Sequence, residues 1–357
     1  MSEIRDMIAD SINRMFSETI DKKLRMEAEA GQWPSSLWDL VEEGGFPKLL
    51  VPESAGGTGG VWLDAYPVLH AIGYHQAPLP LVETIVGNGL LGYVGLPVPD
   101  GPITILQQGA GDELILAMRD SQLALDGSAK SIPWARQATH LVIGGRVEGK
   151  CVIGLIENGH RSIRITAGAN IAQEPRDKVD LDDCRCIAHA YLDERFPINP
   201  VSMFGALARS ITMVGAAEFA LHQSVQYAND RIQFGHPIGK FQAIQHALAV
   251  LAGEVTAAST AAQAACDSAN RGNARFEIAV AKIRSGAAAG IAARIAHQVN
   301  GAIGFTYEHN LHYATKRLWS WRAEFGSESF WAQELGENAI KRGGQNLWAD
   351  LTALAGQ

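Results

Sequence analysis

The sequence predicts a multidomain α+β protein in which a small antiparallel β domain separates an N-terminal helical domain from a C-terminal four-helix-type bundle. Helical periodicity runs through residues 1–97, short β-rich segments fill residues 98–197, and long alanine-rich segments follow in residues 198–357. A chain of 357 residues is long enough to form two or three domains with ample core. We therefore expect domain boundaries near residues 97 and 197.

The N-terminal segment alternates helical patterns with a glycine-rich break. "WPSSLWDLVEEGGF" (33–46) spaces its apolar residues at helical intervals and stops at Gly44-Gly45. "PESAGGTGG" (52–60) then interrupts the pattern, and no Gly-Lys-Ser/Thr follows it, which argues against a phosphate-binding loop. We interpret this stretch as a connection between helices, and whether it also lines a binding site stays open.

The hydrophobic pattern changes in the segments that follow residue 97. "PITILQQ", "ELILAMR" and "HLVIGGRVEGKCVIGLI" are short, rich in β-formers and separated by turn residues, which is typical of a small barrel or sandwich. Beyond residue 200, long amphipathic stretches contain so much alanine that the helices they predict can pack closely as a bundle.

Composition excludes several classes of protein. The net charge of -8 argues against a surface for nucleic acid or anionic membranes. No apolar run reaches about 18 residues, and "MSEIRDMIADSINRMF" at the N-terminus lacks a signal-peptide core. The four cysteines lack the spacing of a zinc site. We expect a soluble cytoplasmic protein with buried thiols and no metal.

The stretch "DRIQFGHPIGKFQAIQHALA" (230–249) carries the most specific chemistry. Arg231 stands at the end of a long helix, where its planar charged side chain can donate parallel hydrogen bonds to a diphosphate. Gly235 and Pro237 turn the chain so that a second long helix begins at once. A plain helix end, with Arg231 paired to Asp230, is the alternative.

This stretch and four others resemble the acyl-CoA dehydrogenase family over essentially the whole chain. The most specific match covers residues 227–249. The length of the chain, "APLPL" and "GFTYEHNLH" look more like the shorter bacterial members, several of which act on bulky acyl-CoA thioesters, including steroid side-chain thioesters. The stretches that carry the resemblance are "LWDLVEEGGFPKLLVPESAGGTGG", "APLPLVETI", "ALDGSAKSIPWARQATHLVI", "YANDRIQFGHPIGKFQAIQHALA" and "HQVNGAIGFTYEHNLHYATKR".

The resemblance implies FAD-dependent oxidation of an acyl-CoA to the 2-enoyl-CoA. A carboxylate removes the α proton, and the β hydrogen leaves as hydride to the flavin. The flavin lies between the β domain and the bundle, and its adenosine diphosphate half reaches into the neighbouring subunit. The residues that match this cross-subunit contact are Arg231, Phe234, Gln242, Gln298, Gly301 and Gly304.

The residues expected around the chain's own flavin depart from the family pattern. A Thr-Glu-Pro-Gly-x-Gly-Ser-type loop is shortened to "PITILQQGAGDELILAMRD" (102–120), and a Trp-Ile-Thr-like triplet is replaced by Ile132-Pro133-Trp134. Proline cannot donate an N–H, so at least one possible hydrogen bond to the flavin is lost.

The residues at the position of the catalytic base depart further from the family pattern. The usual glutamate position falls on Phe325, and the neighbouring Glu324 would serve only after a one-residue slip. Other members place the base early in the helix before the arginine, where "SMFGALARS" (202–210) contains no acid. Because a base must reach the α carbon, Glu324 is the only candidate that we retain.

The contact with the neighbour's cofactor is thus retained, whereas the residues for the chain's own chemistry have changed. We interpret the chain as the base-lacking subunit of a heteromeric acyl-CoA dehydrogenase, completed by a second acyl-CoA dehydrogenase subunit. Two alternatives stay open: a self-sufficient homomer with Glu324 as base, and a non-catalytic CoA-thioester-binding or structural relative. The implied partners are an acyl-CoA substrate and an electron-transfer flavoprotein or similar acceptor, with no nucleic acid and no membrane span.

Overall fold

Helices form the first part of the chain. The computed structural model describes residues 3–107, 112–192, 199–272, 274–346 and 348–349. The helices are α1 (Glu3–Thr19), α2 (Lys22–Glu29), α3 (Ser35–Glu43), α4 (Trp62–His75) and α5 (Leu81–Tyr93). The turn after α3 passes through Gly45 at φ 73°, so the predicted glycine stop is confirmed.

Two β-sheets form the middle part. The strands are β1 (Ile103–Leu106), β2 (Glu113–Arg119), β3 (Gln122–Pro133), β4 (His140–Val147), β5 (Lys150–Glu157), β6 (Ile163–Thr166), β7 (Arg176–Arg185) and β8 (Ala188–Tyr191). One sheet has the order β1-β4-β5-β8 and the other β2-β3-β7-β6. The pairing is antiparallel as predicted, except that β1 runs parallel to β4.

The position of β1, the strand of the parallel pair, is set by a contact with α5. β1 follows α5 closely and is tied to it, because the Thr84 hydroxyl donates to the Ile103 carbonyl oxygen at 3.0 Å and lies 3.2 Å from the Ile103 N–H. The first strand is therefore placed by the helical part of the chain.

Long helices form the last part. They are α6 (Pro200–Asp230), α7 (Gln242–Arg271), α8 (Arg275–Asn300), α9 (Leu311–Trp321) and α10 (Glu328–Arg342), with the short strands β9 (Ile232–Gln233) and β10 (His236–Pro237) between α6 and α7. The predicted order of helical, β and helical segments is confirmed. α6 is long and apolar enough to cross a membrane by length and composition, but 83% of its apolar stretch is buried inside the protein, as in a core helix.

The hydrophobic core joins these parts. One cluster of buried side chains runs from Ile12 and Phe16 through α4 and α5 to β1, β5 and the bundle helices, and a second cluster fills the space between the two sheets. The cysteines Cys151, Cys184, Cys186 and Cys266 are all buried thiols, as predicted. Burial raises the pKa of Cys186 to about 12, so this thiol is not a reactive thiolate.

α4 and α6 cross at two glycines. A Cβ atom on Gly73 would overlap the carbonyl oxygen of Thr212, and one on Gly215 would overlap the carbonyl oxygen of His70. The backbones therefore touch directly, and this contact sets the position of the first helices on the bundle.

Gly215→Ala should lower the free energy of unfolding by about 3 kcal/mol, because the added methyl forces two packed helices apart. The matched control is Gly253→Ala on α7, where an added Cβ meets nothing within 4 Å. That change should raise stability by about 1 kcal/mol through helix propensity. Urea unfolding measures both, and equal stability of the two variants would contradict the close crossing.

Candidate functional site

The hairpin after α6 presents Arg231 and Phe234. The Arg231 N–H still bonds to the Tyr227 carbonyl oxygen at 2.9 Å, but its ψ of 116° ends the helix. Phe234 at φ 51° and Gly235 at φ 83° form the tight turn. The Ile238 N–H closes the loop onto the Arg231 carbonyl oxygen at 2.8 Å, and α7 begins at Gln242.

The Arg231 side chain is exposed and pairs with no described residue. Asp230 does not hold it, because the Asp230 carboxylate accepts from Gln226 Nε2 at 2.8 Å instead. The side chain of Phe234 is 89% exposed, and its ring meets Phe241 edge to face at 6.1 Å. The pairing of Arg231 with Asp230 that the plain helix-end alternative expected is thus not present among the described residues, and the assignment of Arg231 to a cofactor contact stays a prediction.

The second predicted contact lies at the same end of the bundle. Gln298 is exposed on the last turn of α8, and Gly301 follows at φ 63° and ψ -148°, a conformation that favours glycine. Gly304 is buried, and a Cβ atom added to it would stand only 3.0 Å from the Leu311 side chain. Asn300 bonds to Ser224 at 3.1 Å, which places the end of α8 against the last turns of α6. The two groups of candidate residues therefore follow helix ends that lie close together.

The two segments in which the family places its base also meet. The Phe325 ring is 3% exposed and lies against Gly205, within the stretch 202–210, where an added Cβ would overlap it. The first segment thus has a phenyl ring at the usual base position, and this ring covers a glycine of the second segment. An acid at Gly205 has no room unless Phe325 moves.

The loop that carries Phe325 is held in place by hydrogen bonds. The buried Lys282 ammonium donates to the carbonyl oxygens of Arg322 at 2.8 Å and Gly326 at 2.7 Å. The Trp331 indole N–H donates to the Phe325 carbonyl oxygen at 2.9 Å. Phe325 has φ 55°, which is unfavourable for a bulky residue. These bonds hold Phe325 in that conformation. Burial lowers the pKa of Lys282 to about 8.

Glu324, the retained candidate base, lies between two arginines. Arg176 Nε donates to Glu324 Oε1 at 2.8 Å, and Arg209 Nη2 lies 2.9 Å from Glu324 Oε2. Both arginines are buried, and the Glu324 side chain is 17% exposed. Its role as a base stays a prediction, and both of its oxygens are engaged by fixed cations.

These contacts belong to a longer alternation of buried charges, which we call the charge chain. Arg209 Nη2 also donates to Glu83 Oε1 on α5 at 2.6 Å. At the other end, Arg176 Nη2 donates to Glu174 at 3.2 Å, and Arg317 Nε donates to the same carboxylate at 3.0 Å. The charge chain, Glu83–Arg209–Glu324–Arg176–Glu174–Arg317, ties α5, α6, α9 and the loop after it to the start of β7.

Electrostatics keeps Glu174 and Arg176 ionised. Burial opposes the ionisation of Glu174, but the guanidinium groups of Arg317, Arg176 and Arg209 outweigh it and lower the pKa of Glu174 to about 2. Burial also opposes the charge on Arg176, and the carboxylates of Glu324 and Glu174 outweigh it and raise its pKa. Each buried charge is therefore paired, as burial demands.

The charge chain passes beside the triplet 132–134. Pro133 pairs with Arg176 in the β3–β7 ladder, and the Trp134 N–H bonds to the Pro175 carbonyl oxygen at 3.1 Å. The Trp134 ring packs edge to face on Trp33 at 6.4 Å. The strand edge at which the resemblance places a flavin ring is thus bound by protein contacts to the loop of Glu324. Residues 108–111 of the shortened loop lie outside the described residues.

The residues of the charge chain other than Glu324 were missed by sequence reasoning. Their partners are far apart in the chain: Arg209 and Glu83 are separated by 126 positions and Arg176 and Glu324 by 148. A usable signal was present, because Glu83 in "PLVETIVG" and Arg209 in "MFGALARSITMVG" are lone charges within apolar helices. Such charges need a buried partner.

Among the residues that the structure describes, no group of three His, Cys, Asp or Glu side chains could hold a metal ion. His309 and His312, three positions apart, contact each other instead, with His312 Nδ1 2.8 Å from the His309 carbonyl oxygen.

Comparisons with known proteins agree with the fold and the motifs. Models of the acyl-CoA dehydrogenase N-terminal and C-terminal domains match residues 2–96 and 203–328. The acyl-CoA dehydrogenase IpdE2 of Mycobacterium tuberculosis is 29% identical over 323 residues, covering 88% of this chain and 91% of that protein.

Solved structures agree as well. The ChsE4-ChsE5 complex from Mycobacterium tuberculosis superposes with a TM-score of 0.84 at 19% identity, covering 94% of this chain and 97% of the matched chain. A variant of the steroid ACAD Tcur3481-Tcur3483 superposes with a TM-score of 0.85 at 22% identity, covering 93% and 96%. At these identities the superpositions establish the fold.

The charge chain predicts a specific acid sensitivity. The folded pKa of Glu174 is below its unfolded value, so its stabilisation is complete above about pH 4.5 and is lost as pH falls toward about 2. Between pH 6 and pH 3 this single group should remove roughly 2 kcal/mol of stability. Glu174→Gln should be less stable at pH 7 but lose less over that range.

Urea unfolding at several pH values measures this difference. Glu148→Gln, in an exposed turn, is the matched control and should follow the wild-type pH dependence. If Glu174→Gln and the wild type lost stability in parallel below pH 5, the ionised state of Glu174 would be wrong.

Proposed function

The chain belongs to the acyl-CoA dehydrogenase family of FAD-dependent oxidoreductases, and from this membership we propose that it is the base-lacking subunit of a heteromeric acyl-CoA dehydrogenase. The observation that carries the proposal is Phe325 lying against Gly205, because neither family base position then offers a carboxylate. A second subunit must supply the base and the surroundings of the flavin ring.

The outward face of the hairpin supports this role. Arg231 is free of protein partners among the described residues, so its guanidinium can bind a diphosphate without first breaking an ion pair. Phe234 offers an exposed ring to the adenine, while Gln242 and Gln298 offer exposed amides. Gly301 lets the backbone approach closely, and Gly304 lets α9 pack behind it. These residues fit the adenosine diphosphate half of FAD.

The interior does not fit the other half of FAD. Arg176 and Glu324 pair here at 2.8 Å, and a flavin ring that separated them would leave buried charges unpaired. Removing one partner from such a pair costs about 3–5 kcal/mol. FAD supplies hydride acceptance in this family, and in our proposal that chemistry takes place in the partner subunit.

The comparisons suggest the class of substrate. One similar structure is a steroid ACAD, and another is the ChsE4-ChsE5 complex. We extend to this chain a bulky, steroid-derived acyl-CoA as the substrate of the assembly and an electron-transfer flavoprotein or similar protein as its acceptor. A cytoplasmic location follows from CoA chemistry.

The visible spectrum tests the division of roles. Purified alone, the chain should be colourless, and co-expression with a longer acyl-CoA dehydrogenase from a neighbouring gene should give a yellow complex. A stoichiometric flavin band in the lone chain, bleached by acyl-CoA, would instead establish a self-sufficient homomer, with Glu324→Gln then testing the base.

Arg231→Ala should weaken FAD retention by the co-expressed complex at least tenfold, because a charged hydrogen bond to phosphate contributes about 1.5–3 kcal/mol. Arg161→Ala, which removes another exposed arginine far along the chain from the hairpin, should leave retention unchanged. Flavin released on gel filtration, measured per complex, is the readout. Equal flavin content in both variants would overturn the assignment of Arg231.

A further inference from the structure

Three Asn-Gly pairs occur in the sequence, at residues 88–89, 158–159 and 300–301. In such a pair the backbone nitrogen of the glycine can attack the side-chain amide of the asparagine, because glycine has no Cβ to hinder the approach and turns freely. The attack requires the glycine nitrogen to lie beside the side-chain carbonyl carbon. The fold therefore determines which of the three pairs can react.

Helices block the reaction at two of these pairs. Asn88 and Gly89 lie inside α5, so the Gly89 N–H follows the helical bonding pattern. At the end of α8, the Gly301 N–H bonds to the His297 carbonyl oxygen. Both glycine nitrogens are thus directed along a helix, away from the side chains of Asn88 and Asn300.

The pair at 158–159 is arranged for the reaction. It forms the turn after β5, where Gly159 is exposed at φ 84° and an added Cβ would meet nothing within 4 Å. The Gly159 N–H donates to Asn158 Oδ1 at 2.9 Å. Since Oδ1 is bonded to Cγ, this contact holds the glycine nitrogen beside the carbon that it attacks.

The Asn158 side chain is fixed in this position by its own amide group. Asn158 Nδ2 donates to the carbonyl oxygens of Ala135 at 2.8 Å and Ala138 at 2.7 Å. These bonds tie the end of β5 to the turn 135–138, which directly follows the triplet 132–134. The same two carbonyl oxygens accept from the nitrogen that leaves as ammonia in the reaction.

We propose that Asn158 is a site of spontaneous deamidation, and that its conversion to aspartate or isoaspartate releases the turn 135–138 from the end of β5. The Gly159 nitrogen loses its proton to hydroxide and forms a bond to Asn158 Cγ. The Cγ–Nδ2 bond then breaks, and ammonia leaves with a proton from water, which regenerates the hydroxide. Water opens the resulting cyclic imide at either carbonyl, and no atom changes its oxidation state.

The product lacks the donors that hold the turn. Aspartate has no N–H in its side chain and is ionised above about pH 4. A carboxylate oxygen in the place of Nδ2 would face the carbonyl oxygens of Ala135 and Ala138, which lose this donor and repel the negative charge. The turn 135–138 therefore separates from residue 158. This assignment rests on the turn alone and does not depend on the heteromeric role.

Peptide mapping by mass spectrometry, after incubation of the full chain at mildly alkaline pH, tests the site. In the folded chain, conversion at Asn158 should exceed conversion at Asn88 and Asn300 at least about tenfold, because the two helical pairs must first unfold locally. In urea, where only the sequence acts, the three should convert at comparable rates. Equal conversion at all three positions of the folded chain, or none at Asn158, would overturn the proposal.

Gly159→Asp tests the attacking nitrogen, because a side chain crowds it while aspartate still tolerates the left-handed conformation. Conversion at Asn158 should fall at least about tenfold. Gly149→Asp is the matched control, since Gly149 is exposed between β4 and β5 at φ 79° and an added Cβ there meets nothing within 4 Å. The control should convert Asn158 like the wild type. Equal conversion in the two variants would rule out the mechanism.

Asn158→Asp reproduces one product, and the wild type after alkaline incubation supplies the natural mixture. The N–H groups of Gln137 and Ala138 bond to the Trp134 carbonyl oxygen at 3.0 and 3.1 Å. Their hydrogen exchange should become about tenfold faster in both samples, because the turn opens more often, while exchange within α7 stays unchanged. Unchanged exchange at Gln137 and Ala138 would overturn the release of the turn. Thermal melting verifies that each variant is folded, and FAD retention tests the heteromeric role separately.

Discussion

Three carboxylates and three guanidinium groups alternate through the interior of the described residues, and the rest of the architecture depends on their pairing. The charge chain joins α5, the middle of α6, the end of α9 and the edge of a β-sheet within hydrogen-bonding distances of 2.6–3.2 Å. An isolated buried charge is strongly unfavourable, so each member fixes the position of the next. Protein groups thus join the helical parts and the β-sheets at this place.

The C-terminal end of α6, unlike its buried middle, is exposed. There the helix ends at a cation and an aromatic ring that the chain leaves exposed, beside a glycine turn that brings backbone to the surface. The same long helix is thus buried along its middle and exposed at its C-terminal end. In the heteromeric role that we propose, the exposed end serves the cofactor of the partner subunit, and the paired interior is the half that has changed. Rigid attachment of α6 by the charge chain and by the glycine crossing with α4 keeps the open face in a fixed position.

Sequence patterns predicted the features that are local. Periodicity gave the order of helices and strands, and the residues around Arg231 indicated a helix end followed at once by a second helix, because capping and turn chemistry act over a few positions. The parallel placement of β1 depends on Thr84 in another element, and the charge chain depends on partners more than a hundred positions apart, so neither has a periodic signature. Phe325 was recognised as the residue at the usual base position, but only the folded chain brings it onto Gly205. Secondary structure has a periodic signal in the sequence, whereas the signal of this long-range pairing is a lone charged residue within an apolar run.

The contact between Phe325 and Gly205 makes a new carboxylate at either position hard to gain by a single substitution. A glutamate arising at position 205 would collide with the ring, and one arising at position 325 would stand beside Glu324, whose arginines are already neutralised. Either change alone would be selected against before it restored any turnover, so recovery requires at least two coordinated substitutions. In the heteromeric assembly that we propose, a lineage with this packing depends on the gene of its partner subunit, and the two genes are then expected to be inherited and lost together.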